Sequence, residues 1–195
     1  PIELIVVSSN RLEDYQLLLS QTNAQLLVVS QDAFQKLSMT ETTQGILAVV
    51  EIAKQEALPQ NGRIIVLDAI QDPGNLGTIV RTADAAGFDA VILGTGTVDL
   101  YNDKVLRSMQ GSHFHIPVFQ ANLQEYLPFL KSKGVQVAVT ALHRDSKDYT
   151  VLQGVTDVAI VVGNEGQGVS SDVISLADVV ITIPMFGKAE SLNVA

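Results

Sequence analysis

The chain of 195 residues carries 47% hydrophobic and 17% charged side chains, a globular balance, and its length suits one large domain or two small ones with a core that needs no covalent staples. It contains no cysteine, which excludes disulfides, thiolate nucleophiles and cysteine metal sites. Twelve Lys plus Arg against twenty-one Asp plus Glu give a net charge of -9, which argues against nonspecific nucleic-acid binding through a broad basic face, so any RNA contact must be local.

In chain order, short β-branched runs at Leu4 to Val7, Leu26 to Val29 and Ile46 to Ile52 predict strands, separated by helical patterns at Arg11 to Gln21 and Asp32 to Leu37. They make a small α/β unit over residues 1–55. From Ala53 to Gly62 the sequence turns polar and ends in Leu-Pro-Gln-Asn-Gly, a breaker-rich stretch that reads as a linker. A second domain is expected over 63–195. Its apolar strands at Arg63 to Leu67, Ala90 to Leu93, Gln136 to Thr140, Val158 to Val162 and Val179 to Ile183 alternate with helices near Asn75 to Ala86, Asp103 to Met109, Leu123 to Lys133 and Val169 to Leu176. A further short strand is expected at His115 to Phe119. Runs apolar without alternation are buried on both faces, so the alternation predicts an α/β fold with a parallel sheet and ligands beyond its carboxyl ends.

No apolar run approaches the roughly 20 residues of a membrane span, and no charged-then-apolar leader opens the chain, so a soluble, cytoplasmic protein is expected. Both ends are expected to lack something, because Pro1 lies directly inside an apolar strand and Ala195 inside a helix start.

Three polar turns follow three apolar strands. In the first, Asp72-Pro73-Gly74 forms a turn, Asn75 suits the cap of the next helix and Gly77 leaves room for a ligand. Arg81, six residues after Asn75, offers a planar donor fork for a phosphate, or else pairs with Asp84 one turn on. The second, Gly163-Asn164-Glu165-Gly166-Gln167-Gly168, has neither the Lys-Ser/Thr of a phosphate loop nor the G-x-G-x-x-G spacing of a dinucleotide site, and Glu165 disfavours a directly bound phosphate. A neutral or cationic ligand group fits it better, unless the turn is only a tight structural connection. The third runs from Ile181-Thr182-Ile183-Pro184 through Met185-Phe186-Gly187-Lys188-Ala189-Glu190 to Ser191-Leu192-Asn193. Ser191 and Asn193 serve there as helix caps or as substrate-placing groups, and no G-x-S-x-G elbow makes Ser191 a nucleophile. Gly94-Thr95-Gly96 ends another strand and either lines the same edge or is a plain turn. His113 and His115, two apart on one expected strand, face opposite ways and point away from metal binding.

Together the three turns resemble the signature motifs of the SpoU (TrmH-type) RNA 2′-O-ribose methyltransferases, a branch of the SPOUT class, over about Arg63 to Ala195. Asp72-Pro-Gly-Asn-Leu-Gly with Arg81 matches the first motif, Gly163-Asn-Glu-Gly-Gln-Gly the second, and Ile183-Pro-Met-Phe-Gly through Ser191-Leu-Asn-Val the third. The segment Arg107-Ser-Met-Gln-Gly-Ser-His-Phe-His-Ile-Pro is also similar to the family's stretch between the first two motifs. Residues 1 to about 52 resemble the ribosomal-protein-like substrate-binding domain of rRNA-directed members.

The resemblance implies a SPOUT-type parallel sheet with a C-terminal trefoil knot, a homodimer, and transfer of a methyl group from S-adenosyl-L-methionine to a ribose 2′-hydroxyl without a metal. By position, the cofactor would lie on Gly163, Ile183, Met185 and Leu192, with Gly94 as a further contact, while Arg81, Asn75, Glu165, Ser191 and Asn193 line the reaction centre. Arg81 would act as the general base the family is proposed to use or, since a guanidinium does not readily deprotonate, as an anchor for the substrate phosphate that stabilises the developing alkoxide, with Glu165 holding Arg81 or the hydroxyl. The family pattern continues past Asn193-Val194 into a long helix that completes the knot and much of the dimer interface. The N-terminal unit favours large-subunit rRNA over tRNA as substrate; a non-catalytic RNA-binding factor on the same fold is the competing reading. Few cations are available for phosphate: Arg11, Lys36, Arg81, Lys104, Arg107, Arg144 and Lys188.

Overall fold

The computed structural model describes residues 1–52, 57–143, 145–188 and 191–195. The linker residues Ala53 to Glu56, the candidate phosphate contact Arg144, and Ala189-Glu190 of the third motif lie outside the described residues. The chain forms two compact units, Pro1–Glu56 and Ala57–Ala195.

In the first unit, β1 (Ile2–Ser8) is the central strand of a three-stranded sheet, parallel to β2 (Gln25–Val29) and antiparallel to β3 (Ile46–Val50). Ile5, Val6, Val7 and Phe34 of α2 (Gln31–Leu37) form its buried centre. The helix expected over Arg11 to Gln21 is reduced to two 3-10 turns and the single turn α1 (Gln16–Leu19). Leu17 and Leu18 are 76% and 51% exposed, so no buried apolar face holds a longer helix there.

The second unit is built on a seven-stranded sheet. Its strands are β4 (Arg63–Asp68), β5 (Ala90–Leu93), β6 (Val118–Gln120), β7 (Gln136–Thr140), β8 (Lys147–Asp148), β9 (Val158–Gly163) and β10 (Val179–Thr182). Their order is β6-β5-β4-β9-β7-β10-β8, and every pairing is parallel. Helices cover both faces, as the unbroken apolar runs predict. On one face α5 (Leu123–Ser132) and α6 (Ser171–Ile174) pack Leu127, Leu130 and Val173 against Ile64, Val66 and Ile92. On the other, α3 (Pro73–Ala85) and α4 (Asp103–Met109) pack Leu76, Val80, Val105 and Met109 against Leu67, Val91 and Leu93. Alternate residues of β4 and β5 therefore serve opposite layers.

Four local expectations change. The strand placed at His115 to Phe119 starts only at Val118, because Ser112–Phe114 form a 3-10 turn ahead of Pro117. The helix placed at Val169 to Leu176 is only Ser171–Ile174, since Ser170 stands extended at ψ 149° as its cap. Asp72, not Asn75, caps α3: its Oδ1 accepts the Asn75 N–H at 2.9 Å. Gly77 receives no ligand; a Cβ there would strike the Ser108 side chain and lie 2.8 Å from the Val105 carbonyl, so this glycine lets α3 and α4 approach.

Candidate active site

The carboxyl ends of β7, β9 and β10 and the first turn of α3 open into a cleft of about 890 Å³. Beyond β9 the chain makes a tight loop closed by Asn164. The Asn164 carbonyl accepts the Gly168 N–H at 2.8 Å, and its Oδ1 accepts the N–H groups of Gly166 and Gln167 at 2.9 and 3.0 Å. Its Nδ2 donates to the carbonyl of Ala69 at 2.9 Å, joining the β9 loop to the turn after β4, where Ala69 takes the left-handed φ of 58°. Asp68, the last residue of β4, accepts the Ser170 N–H at 2.8 Å and adds a second tie. Neither Asn164 nor Asp68 is among the site residues expected from sequence. A polar side chain between glycines is the turn signal that marks Asn164; Asp68 carries no local signal, because its partner lies 102 residues away.

Glu165 lies against the first turn of α3. Its Oε1 accepts from Asp72 N at 3.0 Å and Asn75 Nδ2 at 3.1 Å, and its Oε2 from Gln71 N at 3.2 Å. Burial pushes the Glu165 carboxyl up, but the Asn75 amide and the N–H groups of Glu165 itself, Asp72 and Gln71 outweigh it and hold the group below its ordinary value. The tie is therefore complete above the ordinary carboxylate pKa of about 4.3. It is lost as pH falls through the lower folded-state value. Glu165→Ala should lower the midpoint of thermal unfolding by about 3 °C at neutral pH. The gap to the unmodified protein should close on acidification; a gap that persists in acid would show that the carboxylate is not the tie.

Of the expected site residues, all but Arg81 and Gly94 line this cleft. Asn75 and Glu165 stand at one end, Gly163 at the end of β9, and Ile183, Met185, Ser191, Leu192 and Asn193 along the segment after β10. Leu142, Tyr149 and Thr150, which sequence reading did not single out, supply more wall. They come from the stretch between β7 and β9, where β8 has only two residues and leaves no periodic signal. Apolar Leu142, Ile183, Met185 and Leu192 thus share the cleft with Asn75 and Glu165 at its α3 side, a layout suited to a ligand with a flat apolar part and a reactive polar end.

Arg81 sits six residues beyond Asn75 on α3, about 9 Å along the helix axis. It is exposed, and among the described residues it has neither hydrogen-bond nor ion-pair partner. The Arg81–Asp84 pair weighed from spacing does not form, since Asp84 Oδ2 takes His115 Nδ1 at 3.1 Å. Nor does Glu165 reach Arg81; its oxygens are turned to Gln71, Asp72 and Asn75. Gly94 lies outside the cleft, in a separate recess at the ends of β5 and β6. Among the described residues no cluster of three or more His, Cys, Asp or Glu could hold a metal, and no helix is long and apolar enough to cross a membrane.

The cleft takes its walls from the turns after β9 and β10 and from the first turn of α3, and residues 62–195 match the SpoU rRNA Methylase family. The chain belongs to that family. It is 48% identical over 175 residues, 90% of this chain and 70% of the other, to the 23S rRNA (guanosine(2553)-2'-O)-methyltransferase RlmP of Bacillus subtilis. An AdoMet-bound rRNA methyltransferase from Sinorhizobium meliloti superimposes with a TM-score of 0.84 at 31% identity, over 99% of this chain and 75% of that one. The SpoU methyltransferase AviRb from Streptomyces viridochromogenes in complex with AdoMet gives 0.86 at 25% identity, over 100% of this chain and 78% of that one.

Proposed function

We infer that the protein transfers the methyl group of S-adenosyl-L-methionine to a ribose 2′-hydroxyl of RNA, with large-subunit rRNA as substrate. The observation that carries the reading is the convergence of Asn75, Gly163, Glu165, Ile183, Met185, Ser191, Leu192 and Asn193, from three separate turns, on one cleft. The 48% identity to a 23S rRNA ribose methyltransferase supports the choice of RNA.

The residues present suit the cofactor. Ile183, Met185 and Leu192 offer apolar surface to an adenine ring. Glu165, held in its ionised form, would favour the cationic sulfonium of a cofactor bound in this cleft. S-adenosylmethionine supplies an electrophilic methyl group, so the chain has to hold the weakly nucleophilic ribose hydroxyl in line and assist loss of its proton. Arg81 anchors the adjoining phosphate and stabilises the developing alkoxide, because a guanidinium does not deprotonate to act as a base. Ser191 and Asn193 place the ribose through hydrogen bonds, and Glu165 fixes the Asn75 amide at 3.1 Å.

The finer parts of the reading follow the family. The first unit serves as the RNA-binding domain and the protein is cytoplasmic. A C-terminal trefoil knot is proposed on the likeness to the family. A homodimer is supported by the apolar Phe186, 97% exposed. Incubation with methyl-labelled S-adenosylmethionine should label unmodified 23S rRNA transcript at one ribose. Label on tRNA alone would overturn the rRNA assignment, and cofactor binding without transfer to any RNA would overturn the enzyme.

A further inference from the structure

The recess that holds Gly94 has a volume of about 410 Å³ and is lined by Leu93, Gly94, Thr95, Gly96, Thr97, Gln120, Ala121 and Asn122. It lies at the carboxyl ends of β5 and β6, on the same edge as the cleft but on the other side of β4. That edge is where parallel α/β sheets bind ligands, and the volume is in the range of small-molecule sites, about 300–1,000 Å³.

Its construction is specific. Gly94 to Thr97 form a turn, closed by the Thr97 N–H on the Gly94 carbonyl at 3.2 Å, with Gly96 at a left-handed φ of 88°. Gly94 is required by packing: a Cβ would lie 2.7 Å from the Leu123 side chain and 2.8 Å from the Leu67 carbonyl. The turn leaves the N–H groups of Thr95 and Gly96 without partners among the described residues, and the Thr95 hydroxyl and Gln120 amide are likewise unengaged. Asn122, by contrast, is spent on capping α5, accepting from Gln124 N at 3.1 Å and donating to Glu125 at 3.0 Å. The lining holds no charged side chain. Such a site suits a neutral ligand edge rich in donors and acceptors, and not a phosphate, which calls for cations.

We propose that this recess binds the base of a nucleotide next to the methylated one. The inference rests on the reading of the substrate as RNA. Neighbouring strands are about 4.8 Å apart, so β6 lies about 10 Å across the edge from β4, whose turn leads into Asn75. A flanking base splayed from a single-stranded stretch would enter the recess and be read along its edge by the Gln120 amide, the Thr95 hydroxyl and the two free N–H groups. Gly94 then belongs to the substrate side of the edge and not to the cofactor.

The test uses an oligoribonucleotide spanning the ribose that becomes labelled in 23S rRNA transcript, together with copies made abasic at each flanking position. Gln120→Ala should raise KM for the intact RNA about tenfold, leaving the affinity for S-adenosylmethionine unaltered. One abasic RNA should show the same loss with the unmodified protein and no further loss with the variant, since the two changes remove one contact. Transfer by the unmodified protein with an unaltered KM in Gln120→Ala overturns the subsite alone. No transfer to RNA by the unmodified protein overturns the functional reading and the subsite with it.

Discussion

Arg81→Ala should lower methyl transfer by about 10²–10³-fold while the protein still binds S-adenosylmethionine normally. The split follows from where the side chain sits. Arg81 lies outside the lining of the cleft and engages no described residue, so its removal disturbs neither the cofactor walls nor the packing of α3, whose buried face is Leu76, Ile79, Val80 and Ala83. An exposed guanidinium left without a partner is free to take an anion that comes with the substrate. Arg81→Lys should recover part of the rate, because it keeps the charge and loses the fork. Titration calorimetry with the cofactor, followed by a filter assay of labelled RNA, separates the two effects. Near-normal turnover in Arg81→Ala would remove this residue from the reaction centre.

Gly163→Ala should abolish cofactor binding and destabilise the second unit. A Cβ on Gly163 would fall on the backbone of Gly168 and Val169, and backbone cannot turn aside as a long side chain can. The β9 loop would have to open, breaking the Gly168-to-Asn164 bond and drawing Glu165 from Asn75. Overpacking of this kind costs about 1–3 kcal/mol. A fall in the urea midpoint with no detectable heat on adding S-adenosylmethionine is the expected result; an alanine variant that binds cofactor normally would show that the loop is not what shapes the cleft.

The parallel sheet was legible because its strands are buried on both faces and read as unbroken apolar runs such as Ile64 to Leu67 and Ala90 to Leu93. The turns carrying Asn75, Glu165 and Ser191 were legible because glycine, proline and small polar residues mark the places where a strand stops. What escaped depends on partners far along the chain. Asn164 and Asp68 act through bonds spanning 95 and 102 residues, and Asp72 displaced Asn75 as the cap of α3, which freed the Asn75 amide for Glu165. Gly77 looked like an opening for a ligand. It is instead the place where α4 comes close. A glycine in a sequence announces close approach without saying by what.

The position of β10 also bears on how the chain is made. Its neighbours β7 and β8 are synthesised first, yet they cannot pair with each other, because the place between them belongs to a strand that ends at Thr182. Until the ribosome has delivered that strand, β7 and β8 each carry an unpaired edge, the kind of surface that recruits other chains into aggregates. Nascent chains stalled between Asp148 and Val179 should therefore depend on chaperones more heavily than the completed protein does.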